Sequence, residues 1–278
     1  MFIIQPHYHA IARTAQDYER MAQSGVVCVA EPGFWAGFDR LYPETFIDYF
    51  RQITEFEPTR AAQYGITHYA WVAVNPKEAE NPDLSRRVLE RMPEFFEKPN
   101  VLGIGETGLH LSTQNECDIF EAQVQMAIDY DQLLLIHTPH LHDKIYGTRK
   151  ILEILEGFSK LNPNKVWIDH VEEHTIRACR KYGYWTGFTL YPITKCTATR
   201  ACDMLEVFGW ERMLINSSAD WGPSDPFTLQ ECVLEFRRRG NSLQAATEIF
   251  YNNPCRFMGQ SPKFKFRPIE VVEKTDDF

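Results

Sequence analysis

Short apolar segments recur along the chain at residues 2–5, 26–30, 69–74, 101–105, 133–136, 166–169, 184–188 and 213–216, each followed by a longer stretch where apolar and polar positions mix. The short segments read as strands. Leu133-Leu134-Leu135-Ile136 has no polar alternation, the pattern of a parallel strand buried on both faces. The mixed stretches read as helices over 14–23, 45–63, 83–97, 147–161, 173–182, 198–208, 227–239 and 243–251. A further helix runs through Phe120, Val124, Ala127 and Ile128, with Asn115 as its expected N-cap. Eight strand-then-helix units imply an α/β fold with a parallel sheet, and eight is the number that closes into a (β/α)8 TIM barrel. An open, doubly wound sheet is the alternative, because periodicity does not say whether the sheet closes.

No internal repeat, low-complexity segment or linker divides the chain, so one barrel domain is expected over residues 1–260. Residues 261–278, with Lys263, Lys265, Arg267, Asp276 and Asp277, read as an irregular surface extension. Residues 31–44, rich in Gly, Pro and aromatics, are the expected insertion over one mouth of the barrel.

Composition narrows the function. Hydrophobic residues make up 44% of the chain and charged residues 24%, the balance of a globular protein with a sizeable core. The start of the chain lacks a basic leader and an apolar run long enough for a signal peptide, and no later run has the length of a membrane span. A cytoplasmic, non-membrane protein is expected. Seven cysteines form no Cys-x-x-Cys pair, which argues against a disulfide framework or a thiolate zinc site and for buried, reduced thiols. With 38 acidic against 29 basic residues, the overall field gives no help in coating nucleic acid.

The candidate chemistry lies at the strand ends. After the first segment comes His7-Tyr8-His9, and residues two apart in an extended chain face the same side, so both imidazoles can clasp one cation. The fourth segment leads into Gly105-Glu106-Thr107-Gly108, with Glu106 a candidate bridge between two metals. The fifth and sixth end in His137 and His170, and the eighth leads to Asp220. Any one of these has an ordinary structural explanation. Their joint placement at the C-terminal ends of five strands, where barrels of this class keep their active sites, points to a metal site built from His7, His9, Glu106, His137, His170 and Asp220. Nitrogen and oxygen donors without sulfur suit zinc, manganese, nickel, cobalt or iron, without choosing among them.

The order His-x-His, Glu, His, His, Asp resembles the TatD-related branch of the amidohydrolase superfamily, as do Gly103-Ile104-Gly105-Glu106-Thr107-Gly108-Leu109, Leu135-Ile136-His137-Thr138 and the closing Asn252-Asn253-Pro254-Cys255-Arg256-Phe257. The resemblance implies a binuclear hydrolase in which His7, His9, Glu106 and Asp220 hold one divalent cation and Glu106, His137 and His170 the other. Two such cations activate a bridging water, and Asp220 is the expected proton acceptor, with Glu106 the second catalytic residue.

The resemblance thins at substrate-facing positions. His110 stands where typical members carry Asp, Pro139 where they carry a basic residue, Val171-Glu172-Glu173-His174 in place of Cys-Phe-Thr-Gly, and Ser218-Ala219-Asp220 in place of Glu-Thr-Asp. These changes favour a small-molecule substrate with an ester, amide, lactone or phosphoester bond. A 3′-exonuclease or deoxyribonuclease acting on nucleic acid is the alternative, and a low-turnover metal-binding protein a third. His110, His140, His142, His174 and Trp221 are candidate substrate contacts; Phe34, Trp35 and Tyr191 could complete an apolar wall; and Glu31 could orient a ligand.

Overall fold

Eight parallel strands form one sheet in chain order: β1 Ile3–Gln5, β2 Val26–Glu31, β3 Thr67–Val72, β4 Val101–Gly108, β5 Leu133–His137, β6 Val166–Asp169, β7 Trp185–Thr189 and β8 Met213–Asn216. The computed structural model describes residues 1–140, 143–191 and 193–271. Between β8 and β1 the sheet closes through one bridge, Tyr8 with Ser218, where the His9 N–H donates to the Ser218 carbonyl at 2.9 Å. Below that bridge the buried Gln5 side chain spans the seam, accepting from the Ser217 hydroxyl (3.2 Å) and donating to the Pro226 carbonyl (3.1 Å). The barrel is therefore fastened at the rim that carries His7 and His9.

The helices fall between the strands, as the periodicity predicts, and the differences trace to particular residues. The expected helix over 45–63 is Pro43–Arg51, a wider π turn at Gln52–Phe56, and Glu57–Ala62. Pro58 has no N–H for a preceding carbonyl, and the wider turn absorbs that mismatch. Pro254 follows the π turn Glu248–Asn252 in the same way. Pro93 divides the helix expected over 83–97 into Pro82–Leu89 and Pro93–Phe96. The helix Gln114–Asp129 is capped by Thr113, whose hydroxyl accepts the Glu116 N–H at 3.2 Å, and not by Asn115, which lies inside its first turn.

Alternation along each strand sorts side chains to two sides. Leu134, Ile136, Val166 and Ile168 pack outward among the helices, and Leu133, Leu135 and Trp167 pack inward. The inward residues of the lower barrel join Trp71, Phe257 and Phe264 in an apolar plug. Trp71 stacks on Phe257 (centroids 6.2 Å), and Trp167 meets the same ring edge-on at 5.9 Å. Residues 261–271 form no helix or strand and are not merely surface: Phe264 is buried in the floor of the barrel. All seven cysteines are buried free thiols. Among the described residues no helix is long and apolar enough to cross a membrane.

Candidate metal centre

At the other mouth, His7, His9, Glu106, His137 and His170 converge, all buried. Simple alternation would not bring them there, and three local departures do. On β1, Ile4 belongs to the lower plug, so His7 and His9 face the axis only because the chain bends at Pro6 and slips the alternation by one. On β4, Ile104 pairs with Leu134 and Thr107 with Ile136, three residues facing two, and this bulge turns Glu106 inward. Gly105 permits it: a Cβ there would lie 2.6 Å from the Leu135 Cβ. On β6, Asp169 is inward by alternation, and His170 joins it through a left-handed backbone, φ 59°.

Glu106 is the hub. Its Oε1 lies 2.8 Å from His7 Nε2 and 3.5 Å from His9 Nε2; its Oε2 lies 2.6 Å from His137 Nδ1 and 3.7 Å from His170 Nε2. The two imidazole nitrogens of each pair are close to each other as well, at 3.0 Å for His7 and His9 and 3.1 Å for His137 and His170. Donors around a tetrahedral cation with bonds of about 2.0–2.1 Å are separated by roughly 3.4 Å. Both trios have approximately that spacing.

A network below them sets which nitrogen faces the cluster. His7 Nδ1 donates to Asp169 Oδ2 at 2.7 Å, leaving the Nε2 lone pair toward Glu106. His170 Nδ1 donates to the Thr189 hydroxyl at 2.6 Å, which donates to Asn216 Oδ1 at 3.0 Å; Asn216 Nδ2 in turn donates to Asp169 at 3.0 Å. In its neutral form, with the one proton on Nδ1, His7 Nε2 would present a lone pair to a carboxylate oxygen and to a second imidazole. A positive charge between them removes that repulsion, so these donors fit a bound cation.

The charges agree. Burial alone works against protonating His7, but the charges of Glu106 and Asp169 and hydrogen bonds to both outweigh it and raise its pKa to about 9. Burial likewise opposes ionisation of Glu106, yet the His7 charge and the imidazole hydrogen bonds hold it well below the usual carboxylate range. Burial keeps His9, His137 and His170 neutral, His137 at about 4, with repulsion from Lys195 adding to the effect on His137 and His170. Neutral imidazole and ionised carboxylate are the ligating forms, so Glu106, His9, His137 and His170 are ready to bind and His7 has one proton to give up.

Other expected residues divide. The Asp220 carboxylate lies outside these donor trios: its Oδ1 accepts from the Tyr191 hydroxyl (3.0 Å) and the Gly222 N–H (2.7 Å). Arg13 fastens its loop through the Ala219 carbonyl (2.7 Å), the Asp220 carbonyl and the Ser224 hydroxyl (2.7 Å). His140 stands over the site, its ring 4.8 Å from His137. Trp221 packs on Phe34 (4.5 Å) and Trp35 (6.0 Å), and Phe34 stacks on His9 at 3.8 Å, so residues 31–44 do wall the mouth. Tyr191 contributes its hydroxyl to Asp220 as well as its ring.

His110 is half-buried and is not among the rings packed on the ligand imidazoles; its backbone N–H binds Glu116 at 2.7 Å. His174 is exposed, and its neighbours Glu172 and Glu173 pair with Arg200. Glu31 faces outward with Val29, binding His68 Nε2 (2.8 Å) and the Ile11 N–H (2.9 Å), so it braces the turn after His9 and touches no ligand ring. His142 lies outside the described residues.

Two functional side chains were missed. Asp169 shares the parity of the inward Trp167, so the alternation could have found it. Lys195, in the loop after β7, had no sequence signal: its charge acts on Glu106, Asp169 and Asp220 from a position that only the fold creates.

Comparison with known proteins follows the same outline. The family described as TatD related DNase matches residues 6–257. An uncharacterised metal-dependent hydrolase from Methanocaldococcus jannaschii is 27% identical over 259 residues, covering 92% of this chain and 99% of that protein. The crystal structure of a TatD-like protein from Archaeoglobus fulgidus superimposes with a TM-score of 0.76 at 25% identity, covering 92% and 99% of the two chains. The phosphotriesterase homology protein of Escherichia coli shares the fold, with a TM-score of 0.66 at 13% identity over 92% and 98%.

Proposed function

The chain belongs to the TatD-related DNase family and is a metal-dependent hydrolase on a TIM barrel; from that premise we propose a binuclear enzyme of the amidohydrolase type that cleaves an ester, amide, lactone or phosphoester bond of a small molecule. The observation that carries this reading is Glu106, whose two oxygens each face a separate pair of imidazoles. His7, His9 and Glu106 would hold one cation, and Glu106, His137 and His170 the other. Cations held there would supply a water of lowered pKa and a Lewis acid for the bond under attack.

The chain's own groups supply the rest. Asp169, held by Asn216, keeps the proton of His7 on Nδ1 and so orients the ring. Asp220 accepts a proton from the attacking water and delivers it to the leaving group; its Oδ1 is already engaged by Tyr191 and Gly222, which leaves Oδ2 for that exchange. Phe34, Trp35 and Trp221 keep bulk water from the His9 side.

The family's description favours a nuclease as the second reading. Against it stand the net charge of −9 and Pro139 in place of a basic residue. A screen of esters, lactones, amides, phosphoesters and single-stranded DNA with manganese, zinc or nickel decides: turnover of a small molecule, lost in His9→Ala, supports the proposal. Degradation of DNA from its 3′ end as the sole His9-dependent activity replaces it with the nuclease.

A further inference from the structure

One ammonium at this mouth has no task in the scheme above. Lys195 is half-buried in the loop after β7, its Nζ 5.3 Å from the centre of the Tyr191 ring. Its backbone is fixed at both ends, the N–H donating to the Tyr191 carbonyl at 2.8 Å and the carbonyl accepting from Arg200 at 2.6 Å. The same Tyr191 donates its hydroxyl to Asp220 at 3.0 Å, which sets the ammonium on the Asp220 side of the mouth; from there its charge acts on Glu106, Asp169 and Asp220 and disfavours protonation of His137, His140 and His170. Among the described residues its Nζ has neither a carboxylate within 4.0 Å nor a hydrogen-bond acceptor.

The contrast with Lys144 is informative. Lys144 is buried beside the same centre, but it donates to the Thr138 hydroxyl at 2.9 Å and to the His170 carbonyl at 2.7 Å, so its charge is spent on holding β5 to β6. Lys195 has no comparable partner. Removing an ammonium from water without pairing it is unfavourable, and a neighbouring divalent cation adds repulsion. A substrate that carries negative charge relieves both. Across the mouth Lys77 lies over Trp35, 4.7 Å from its ring, and also repels Lys195, so the entrance has two cations and an aromatic wall between them.

We propose that Lys195 is a specificity-determining residue that binds an oxyanion of a small substrate, phosphate or carboxylate, at the mouth beside Tyr191 and Asp220. A chain of phosphates would need a basic track along the surface; here a single ammonium stands beside the Tyr191 ring on a protein of net charge −9. The inference rests on the hydrolase reading for its biological meaning, but it has its own test.

Inorganic phosphate and acetate are titrated calorimetrically into manganese-loaded wild type, Lys195→Gln, Lys195→Arg and the exposed control Lys160→Gln, with metal content measured in each. At least one anion binds wild type, binds about tenfold to a hundredfold more weakly to Lys195→Gln, and recovers to within about threefold in Lys195→Arg, as expected for a charge-assisted hydrogen bond. Lys160→Gln and the metal content do not change. The anion whose affinity moves identifies the group recognised. Equal affinities in wild type and Lys195→Gln for both anions, or no binding of either to wild type, overturn the proposal. Lys195→Met replaces the glutamine variant if that one does not fold. A wild type that takes up no metal defeats the hydrolase reading alone, because the same titrations on metal-free protein still report on Lys195.

Discussion

The two mouths of this barrel are built from the same strands by opposite rules. At the lower mouth β5 and β6 follow their alternation, and the inward residues are apolar and close on Phe257 and Phe264. At the upper mouth β1, β4 and β6 break alternation by a bend, a bulge and a left-handed residue. A regular strand offers one inward side chain for every two residues, too few to gather four imidazoles and two carboxylates around one point. The lower mouth therefore sets stability, and the irregular upper mouth sets chemistry.

The sharpest way to break this division is to remove the proposed proton acceptor while keeping its shape. Asp220→Asn is expected to lower kcat about 10²–10⁴-fold with metal content unchanged, read by steady-state kinetics and metal analysis. Turnover within a few-fold of wild type would remove Asp220 from the scheme. At the lower mouth, Phe257→Ala should cost about 3–5 kcal/mol in denaturant unfolding. The protein that remains folded should hold as much metal as wild type; metal lost in proportion to stability would show that the two mouths are not separate.

Gly105→Ala tests the bulge. The added methyl meets Leu135, so about 1–3 kcal/mol of stability is expected to go. Metal affinity should fall further than in Phe257→Ala, although Gly105 carries no ligand. Protons give a subtler test. His7 in the metal-free protein has its pKa raised to about 9, so its contribution to stability is complete below its unfolded value and fades as pH rises through 9. A cation must displace that proton: at pH 7.5, calorimetry in buffers of different ionisation enthalpy should detect about one proton released per chain, and affinity should rise as pH rises toward 9. The smallest effect is expected at Thr113→Ala, about 1 kcal/mol from the lost cap with kcat unchanged, against a few tenths for Asn115→Ala.

Much of this was readable in the residues themselves. The apolar runs mark all eight strands, because a parallel strand buried on both faces has to be apolar, and the residues following them supply every member of the two donor trios. The geometry that unites them was hidden. Nothing in Gly105-Glu106 distinguishes a bulge from a turn, and nothing in Asp169-His170 says that consecutive residues will both face inward. Glu31 was misplaced because its parity with the outward Val29 was not followed, and Asn115 because Thr113 two positions earlier competes for the same cap. Lys195 depends on long-range closure: its loop reaches the centre only once β7 stands between β6 and β8.

The central claim is that Glu106 joins two separate cation sites, and counting metal tests it most directly. Wild type purified with added manganese or zinc should contain two divalent ions per chain by elemental analysis, and Glu106→Gln, equally well folded, one or fewer. A folded wild type with no bound metal, or a Glu106→Gln protein that still holds two ions, would contradict it.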